Sequence, residues 1–224
     1  MRRTLFIPLT AFLIAAMCTT AFAVVRNGTN GRDTLFGSPS ADTLNGFRGA
    51  DLLIGLAGAD RLNAGRGNDD AYGDECPVTG ADAVYCVRGG NAGGDRLNGQ
   101  RGNDNLYGNG GNDRLDGGSG ADTLRGSTGK DQARGRDGAD NIKGGTGRDN
   151  VQGGSGNDVV KGNDSDDKVV GNGGIDQLSG GGGDDRLFAR DNRRDVVGCG
   201  PGQDRVFADG EDRVFGSCEQ VTRR

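Results

Sequence analysis

The chain has 224 residues, with 46 Gly, 29 Asp against three Glu, no His or Trp, 32% apolar residues and a formal charge of −5. Ordinary chains carry about 7% Gly and about 45–50% apolar residues, so a thick, jigsaw-packed core is excluded, as is extensive helix, which loses up to about 1 kcal/mol for each Gly. The missing His removes the commonest general base and a usual zinc ligand, and the acidic balance argues against nucleic acid as a partner.

The N-terminus differs in composition from everything after it. Arg2 and Arg3 precede a mostly apolar run from Leu5 to Met17, and Ala21-Phe22-Ala23 has the small-x-small form of a signal-peptidase site. Residues 1–23 therefore read as a signal peptide, with Val24 opening the mature chain. A membrane anchor is the competing reading, but the run is shorter than the roughly 18–20 residues needed to span a bilayer, so no membrane span is expected in the mature chain. Secretion to an extracellular, oxidising compartment makes disulfides the expected state of Cys76, Cys86, Cys199 and Cys218. Three pairings are open, of which 76 with 86 and 199 with 218 is preferred; a tetrathiolate zinc site lacks the usual C-x₂-C pair.

Residues 24–198 are organised by a nine-residue repeat anchored on Asp. Anchors fall at Asp33, Asp42, Asp51, Asp60 and Asp69, then in unbroken steps of nine at Asp95, Asp104, Asp113, Asp122, Asp131, Asp140, Asp149, Asp158, Asp167, Asp176 and Asp185. Looser copies centre on Asp82, Asp195, Asp204 and Asp212. Two residues after each anchor the side chain is apolar, as at Leu44, Leu62, Ile142 and Val160; two before it Gly stands in 17 of 20 repeats, and five before it Gly dominates again. Each unit thus reads as a Gly-rich turn, where Gly supplies positive φ, and a short strand with one inward apolar residue. Such a unit can leave water only by stacking. Two units closing one flattened coil predict an all-β, parallel β-roll (β-solenoid) of about 18 residues per coil, with two narrow apolar ladders.

The step from Asp69 to Asp95 is 26, with Asp82 midway, so the roll is expected to continue through residues 70–94 on two enlarged turns stapled by Cys76 and Cys86. Past Asp185 the steps become 10, 9 and 8, and Cys199 and Cys218 are 19 apart, close to one coil. Residues 199–224 are expected to form a disulfide-closed cap over the open end; Phe207 and Phe215 could alternatively form a partner-binding patch.

The segments Gly117-Gly118-Ser119-Gly120-Ala121-Asp122-Thr123-Leu124-Arg125 and Gly153-Gly154-Ser155-Gly156-Asn157-Asp158-Val159-Val160-Lys161 match the G-G-x-G-x-D-x-U-x nonapeptide. The chain thus resembles the RTX (haemolysin-type) calcium-binding repeat family over essentially its whole mature length. The resemblance implies a right-handed parallel β-roll with calcium held in the turns.

Elementary chemistry points the same way. Anchors 18 residues apart would lie at roughly the 4.8 Å strand spacing, where two carboxylates repel by about 0.9 kcal/mol even at water's dielectric constant. A donor set of oxygen alone selects a hard ion, and ligands from adjacent turns suit calcium's long, flexible coordination better than magnesium's. Multiple Ca²⁺ ions are therefore expected, held by the sixteen regular anchors from Asp33 to Asp185. The spacing places Asp33, Asp51, Asp69, Asp95, Asp113, Asp131, Asp149, Asp167 and Asp185 on one edge and Asp42, Asp60, Asp104, Asp122, Asp140, Asp158 and Asp176 on the other. Asn109, Asn163 and Asn172 stand where left-handed φ is expected, and Ser165 replaces a motif Gly.

Metal binding and folding are one equilibrium when the unfolded chain has no preformed site. The expected function is a secreted calcium-binding roll whose folding is driven by Ca²⁺; without calcium the composition is that of a disordered linker. The alternative is a cell-surface scaffold or adhesin with a cell-surface or glycan partner. An enzyme is not expected, because repeats consume the chain and no catalytic constellation is present. Outward Arg61, Arg96, Arg114, Arg125, Lys143, Lys161, Lys168 and Arg186 read as residues that solvate a sheet. An N-terminal signal departs from the one-step export of toxin-type relatives and suggests general secretion instead.

Overall fold

The computed structural model describes residues 22–73, 93–216 and 218–223. Among these residues there are 21 strands and no helix. Odd-numbered strands, from β1 (Val25–Asn27) to β21 (Gln220–Arg223), form an 11-stranded sheet; even-numbered strands, from β2 (Thr34–Phe36) to β20 (Arg213–Phe215), form a 10-stranded sheet. Neighbours pair in parallel, as β9 (Arg114–Ser119) does with β11 (Gln132–Asp137). Because the chain alternates between sheets at each nine-residue unit, it winds a β-solenoid of about 10 turns with about 18 residues per coil, the architecture expected from the repeat.

Stacking removes the apolar residues from water. Leu44, Leu62, Leu97 and Leu115 line the odd sheet and Leu53, Ala71, Leu106 and Leu124 the even one, all at most 1% exposed. Each buried Leu contributes roughly 1.5–3 kcal/mol, and its neighbours along the strand point outward because side chains alternate. A second inward position lies two residues further on. It is a buried Gly in the central coils, as at Gly126 and Gly153, but Ala189, Cys199 and Ala208 in the last ones.

The register corrects the expected course through residues 70–94. β5 (Arg61–Arg66) pairs directly with β7 (Arg96–Arg101), Leu62 opposite Leu97, and β6 (Asp70–Tyr72) pairs with β8 (Asn105–Gly110), Ala71 opposite Leu106. The chain therefore inserts its extra residues between β6 and β7 within one coil instead of adding a rung at the midway Asp. Asp82 and the expected 76–86 disulfide lie outside the described residues, as does almost all of the expected signal peptide. Cys199 and Cys218 are bonded, with S–S 2.04 Å and Cα–Cα 5.4 Å. No helix among the described residues is long and apolar enough to cross a membrane.

Candidate metal centre

The anchors from Asp42 to Asp185 are at most 3% exposed; Asp33, on the open first coil, is half-buried. Each carboxylate belongs to a column running along the roll. Its Oδ1 accepts the backbone N–H of the anchor one coil earlier: Asp104 to Asp122, Asp140 to Asp158 and Asp149 to Asp167, each at 2.8 Å. The anchor's own carbonyl accepts the N–H of the residue after the next anchor, as Asn141 N–H to Asp122 O at 2.8 Å.

These bonds overturn the expected edge assignment beyond the insertion. Asp60 N–H donates to Asp95 Oδ1 and Asp69 N–H to Asp104 Oδ1, each across 35 residues. One column therefore reads Asp33, Asp51, Asp69, Asp104, Asp122, Asp140, Asp158 and Asp176; the other reads Asp42, Asp60, Asp95, Asp113, Asp131, Asp149, Asp167 and Asp185. Asp95 stacks on Asp60, not on Asp69. A step of 26 divides equally well into two enlarged units or one normal unit with an insertion, and only the hydrogen-bond register distinguishes them.

The columns also run on past the sequence-derived set. Asp176 N–H donates to Asp195 Oδ1, Asp185 to Asp204, Asp195 to Asp212, and Asp204 N–H to Glu219 Oε2 at 2.8 Å. Irregular steps hid the first three as site residues. Nothing in the nine-residue pattern marks Glu219, whose longer arm reaches the same backbone donor.

The second oxygen is left over. Oδ2 of Asp51, Asp69, Asp104, Asp122, Asp131, Asp140, Asp149, Asp158, Asp167, Asp176 and Asp185 is buried with no hydrogen-bond partner. Except at Asp69, where the residue five earlier is the buried Ala64, it lies against the Gly five residues earlier: a Cβ on Gly46 would stand 2.5 Å from Asp51 Oδ2, and one on Gly153 would meet Asp158 Oδ2 and lie 2.8 Å from the Gly171 carbonyl oxygen. An orphaned carboxylate oxygen and a backbone carbonyl oxygen thus converge over the space that such a Gly leaves clear. The Gly five before the anchor gives room, with Ala64 as its one replacement among the regular described anchors, whereas positive φ belongs to the Gly two before it, as at Gly156 with φ 129.

The position four before the anchor is left-handed too. Asn109, Asn163 and Asn172 adopt φ of 73, 83 and 71, as expected, and Ser165 at the motif Gly adopts 87. Unforeseen are Phe47, Leu56, Gln100 and Arg136, at φ 75, 79, 80 and 87, a conformation that costs a bulky residue of order 1–3 kcal/mol. In one column this position reads Phe47, Gly65, Gln100, Gly118, Arg136, Gly154 and Asn172 in register. The second Gly of the motif therefore recurs on alternate coils.

Burial sets the charge state. Desolvation, with repulsion from column neighbours added, pushes the carboxyls of Asp104, Asp149, Asp158 and Asp167 up to about 7 and those of Asp69, Asp122 and Asp185 to about 6, against the lowering effect of the N–H donor. A proton or a cation must meet the unpartnered oxygens, since a buried uncompensated acceptor is costly. No group of three or more Cys, Asp or Glu side chains converges among the described residues, so any ion here would take backbone carbonyls alongside the carboxylates. That all-oxygen set fits calcium, whose coordination is long and flexible.

A family model described as the RTX calcium-binding nonapeptide repeat matches residues 27–62, 45–75, 89–124, 116–151, 125–160, 143–178 and 161–192. Among curated proteins, no match is found.

Proposed function

The chain belongs to the RTX calcium-binding nonapeptide-repeat family, and on that premise we propose that it is a secreted, non-enzymatic calcium-binding β-roll whose folding is driven by several Ca²⁺ ions. Residues 1–23 would direct export, residues 24–198 would form the metal-dependent roll, and 199–224 a disulfide-closed cap. The observation that supports this reading most is the row of buried carboxylate oxygens without partners, several of which, as at Asp122, Asp140, Asp149, Asp158 and Asp167, face a carbonyl oxygen across a Gly.

The sixteen regular anchors, from Asp33 to Asp185, would hold the ions together with turn carbonyls. Bound calcium supplies a hard dication that offsets the charge of a buried column. The chain's own part is to aim that charge: the N–H bond to Oδ1 orients each carboxylate, the Gly five before it leaves the approach open, and the left-handed turn turns the carbonyls. Where calcium is scarce the columns repel and the thin apolar ladders are too weak to hold the coils; where it is plentiful, binding free energy becomes folding free energy.

Circular dichroism during a calcium titration, with calorimetry for stoichiometry, tests the reading. We expect β signal to rise cooperatively with millimolar calcium and several ions per chain. A chain that is fully β-structured after exhaustive chelation, and unchanged by added calcium, would overturn it. A surface-scaffold role would share this calcium requirement and add a partner on a sheet face.

A further inference from the structure

The acidic balance of the sequence is an interior property. Among the described residues, 19 Asp are buried out of 29 acidic residues, leaving 10 (29 − 19) to oppose 23 Lys and Arg, none of which is buried. The folded roll therefore presents a basic exterior that can attract polyanions although the chain's net charge is negative.

The excess is concentrated on one face. On the odd sheet, Arg61, Arg96 and Arg114 occupy the same position of successive strands β5, β7 and β9. Arg48, Arg66 and Arg101 form a second row, in register on β3 (Thr43–Arg48), β5 and β7. All six are exposed. Between the rows runs a ladder of amides, Asn63 Nδ2 donating to Asn45 Oδ1 at 2.7 Å and Asn45 Nδ2 to Asn27 Oδ1 at 2.8 Å, with Asn98 next in register. Like charges directly opposite on neighbouring strands destabilise a sheet, and among the described residues only Arg136 with Asp116 and Arg148 with Asp166 form ion pairs. Arg114 donates to Gln132, which carries no charge to balance it. After Asn98 the middle row ends on β9 with Asp116, whose carboxylate is taken by Arg136, so the two self-repelling rows of guanidinium groups have no ion-pair partner among the described residues.

We propose that this face, spanning β3 to β9, binds an acidic polysaccharide, a linear glycan bearing a carboxylate or sulfate on successive sugars. Rows of Arg at the strand spacing of roughly 4.8 Å match a polymer that repeats an anion along its length, and guanidinium forks suit oxyanions bidentately. The amide ladder between them offers donors and acceptors to hydroxyls. Nucleic acid fits less well, because the face is a flat sheet with no element to enter a groove and no aromatic row among the Arg positions on which bases could stack. Phe47, 51% exposed and left-handed beside Arg48, adds an apolar surface at the margin that suits the C–H face of a sugar. The inference needs only the folded roll, which calcium supplies on the reading above, so folding is monitored by circular dichroism in every sample.

The test is binding of the purified, calcium-loaded chain to polygalacturonate and to heparin, with duplex DNA and neutral dextran as comparators. We expect binding to at least one acidic glycan, reversed by 0.5 M salt, and no binding to dextran. The triple variant R61Q/R96Q/R114Q should lose at least tenfold in affinity while its melting temperature holds or rises. The triple variant R125Q/K143Q/K161Q, which removes the same charge from the even sheet, should change affinity less than twofold. Absence of glycan binding by a folded roll, equal loss in both variants, or tighter binding to DNA than to either glycan would each overturn the proposal.

Discussion

The central coils, residues 95–185, and the last coils, residues 186–223, use the same column of anchors but satisfy it differently. In the centre, Asp158 is held by one N–H and its second oxygen has no partner. At the end, Asp212 Oδ2 accepts the Asp209 N–H at 2.7 Å, and the Arg223 guanidinium donates to the carbonyls of Asp209 and Asp212 at 2.7 and 3.2 Å. Asp209 itself is desolvated, yet N–H donors from Glu211, Asn192, Asp191 and Asp212 hold its carboxyl below the usual range. The second inward position changes in step, from Gly to Ala189, Cys199 and Ala208. In the last coils an Arg, a disulfide and inward apolar groups thus take over part of the packing, although Asp195 and Asp204 there keep a buried Oδ2 without a hydrogen-bond partner, as the central anchors do; the last coils are therefore expected to depend less on a bound cation than the central ones.

Calcium removal should expose this contrast most strongly. With chelator, amide exchange of residues 95–185 is expected to approach that of an unfolded chain, while the disulfide-bonded segment around 199–218 keeps measurable protection. Uniform exchange along both regions would remove the distinction. Next in size, C199S/C218S should cost about 3 kcal/mol in the calcium-loaded state, from the loop-closure entropy of a 19-residue separation, and urea unfolding would register it. Should the midpoint not move, the last coils are held by packing and Arg223 alone.

A smaller effect is expected at single glycines. Gly153→Ala puts a methyl against the Asp158 carboxylate and the Gly171 carbonyl and should cost about 2 kcal/mol, in the range of overpacking. Gly182→Ala, with nothing within 4 Å of its Cβ, should stay within about 0.5 kcal/mol. Ala64 occupies the same position as Gly153 on an N-terminal coil and is fully buried, so the backbone can yield there by a modest amount. Equal effects from the two substitutions would show that the cradle is not a close fit.

The subtlest test is pH. Carboxyls raised to about 6 or 7 in the roll bind protons more tightly folded than unfolded, where the value is near 3.8. Folded-state stability without metal should therefore be greatest below pH 4 and fall as pH rises through about 7. Calcium should flatten that dependence, because it replaces the proton, and its binding should release protons near neutral pH. Melting curves at several pH values with chelator or calcium would detect both; a metal-free melting point that climbs between pH 4 and 7 contradicts the sign.

Much was legible in the residues alone. A nine-residue period with one apolar position dictates stacking, since Leu124 or Val160 has no other way to leave water, and it marks Asp122 and Asp158 as equivalent. The left-handed Asn109, Asn163 and Asn172 were foreseeable because Asn tolerates that region, and the spacing of Cys199 and Cys218 agreed with one coil. Bulky Phe47 and Arg136 in the same conformation were not, because local preference opposes it and only the parallel register with neighbouring coils imposes it.

Periodicity, then, determined that the chain is a roll, which regular positions face inward and that the evenly spaced anchors stack into columns, because these depend on local spacing. Which anchors share a column across residues 74–92, which oxygen of each carboxylate is already bonded, and that an acidic chain wears a basic surface were decided only by the tertiary structure. Register between distant strands and burial are relations among coils, and spacing along one strand of sequence does not contain them.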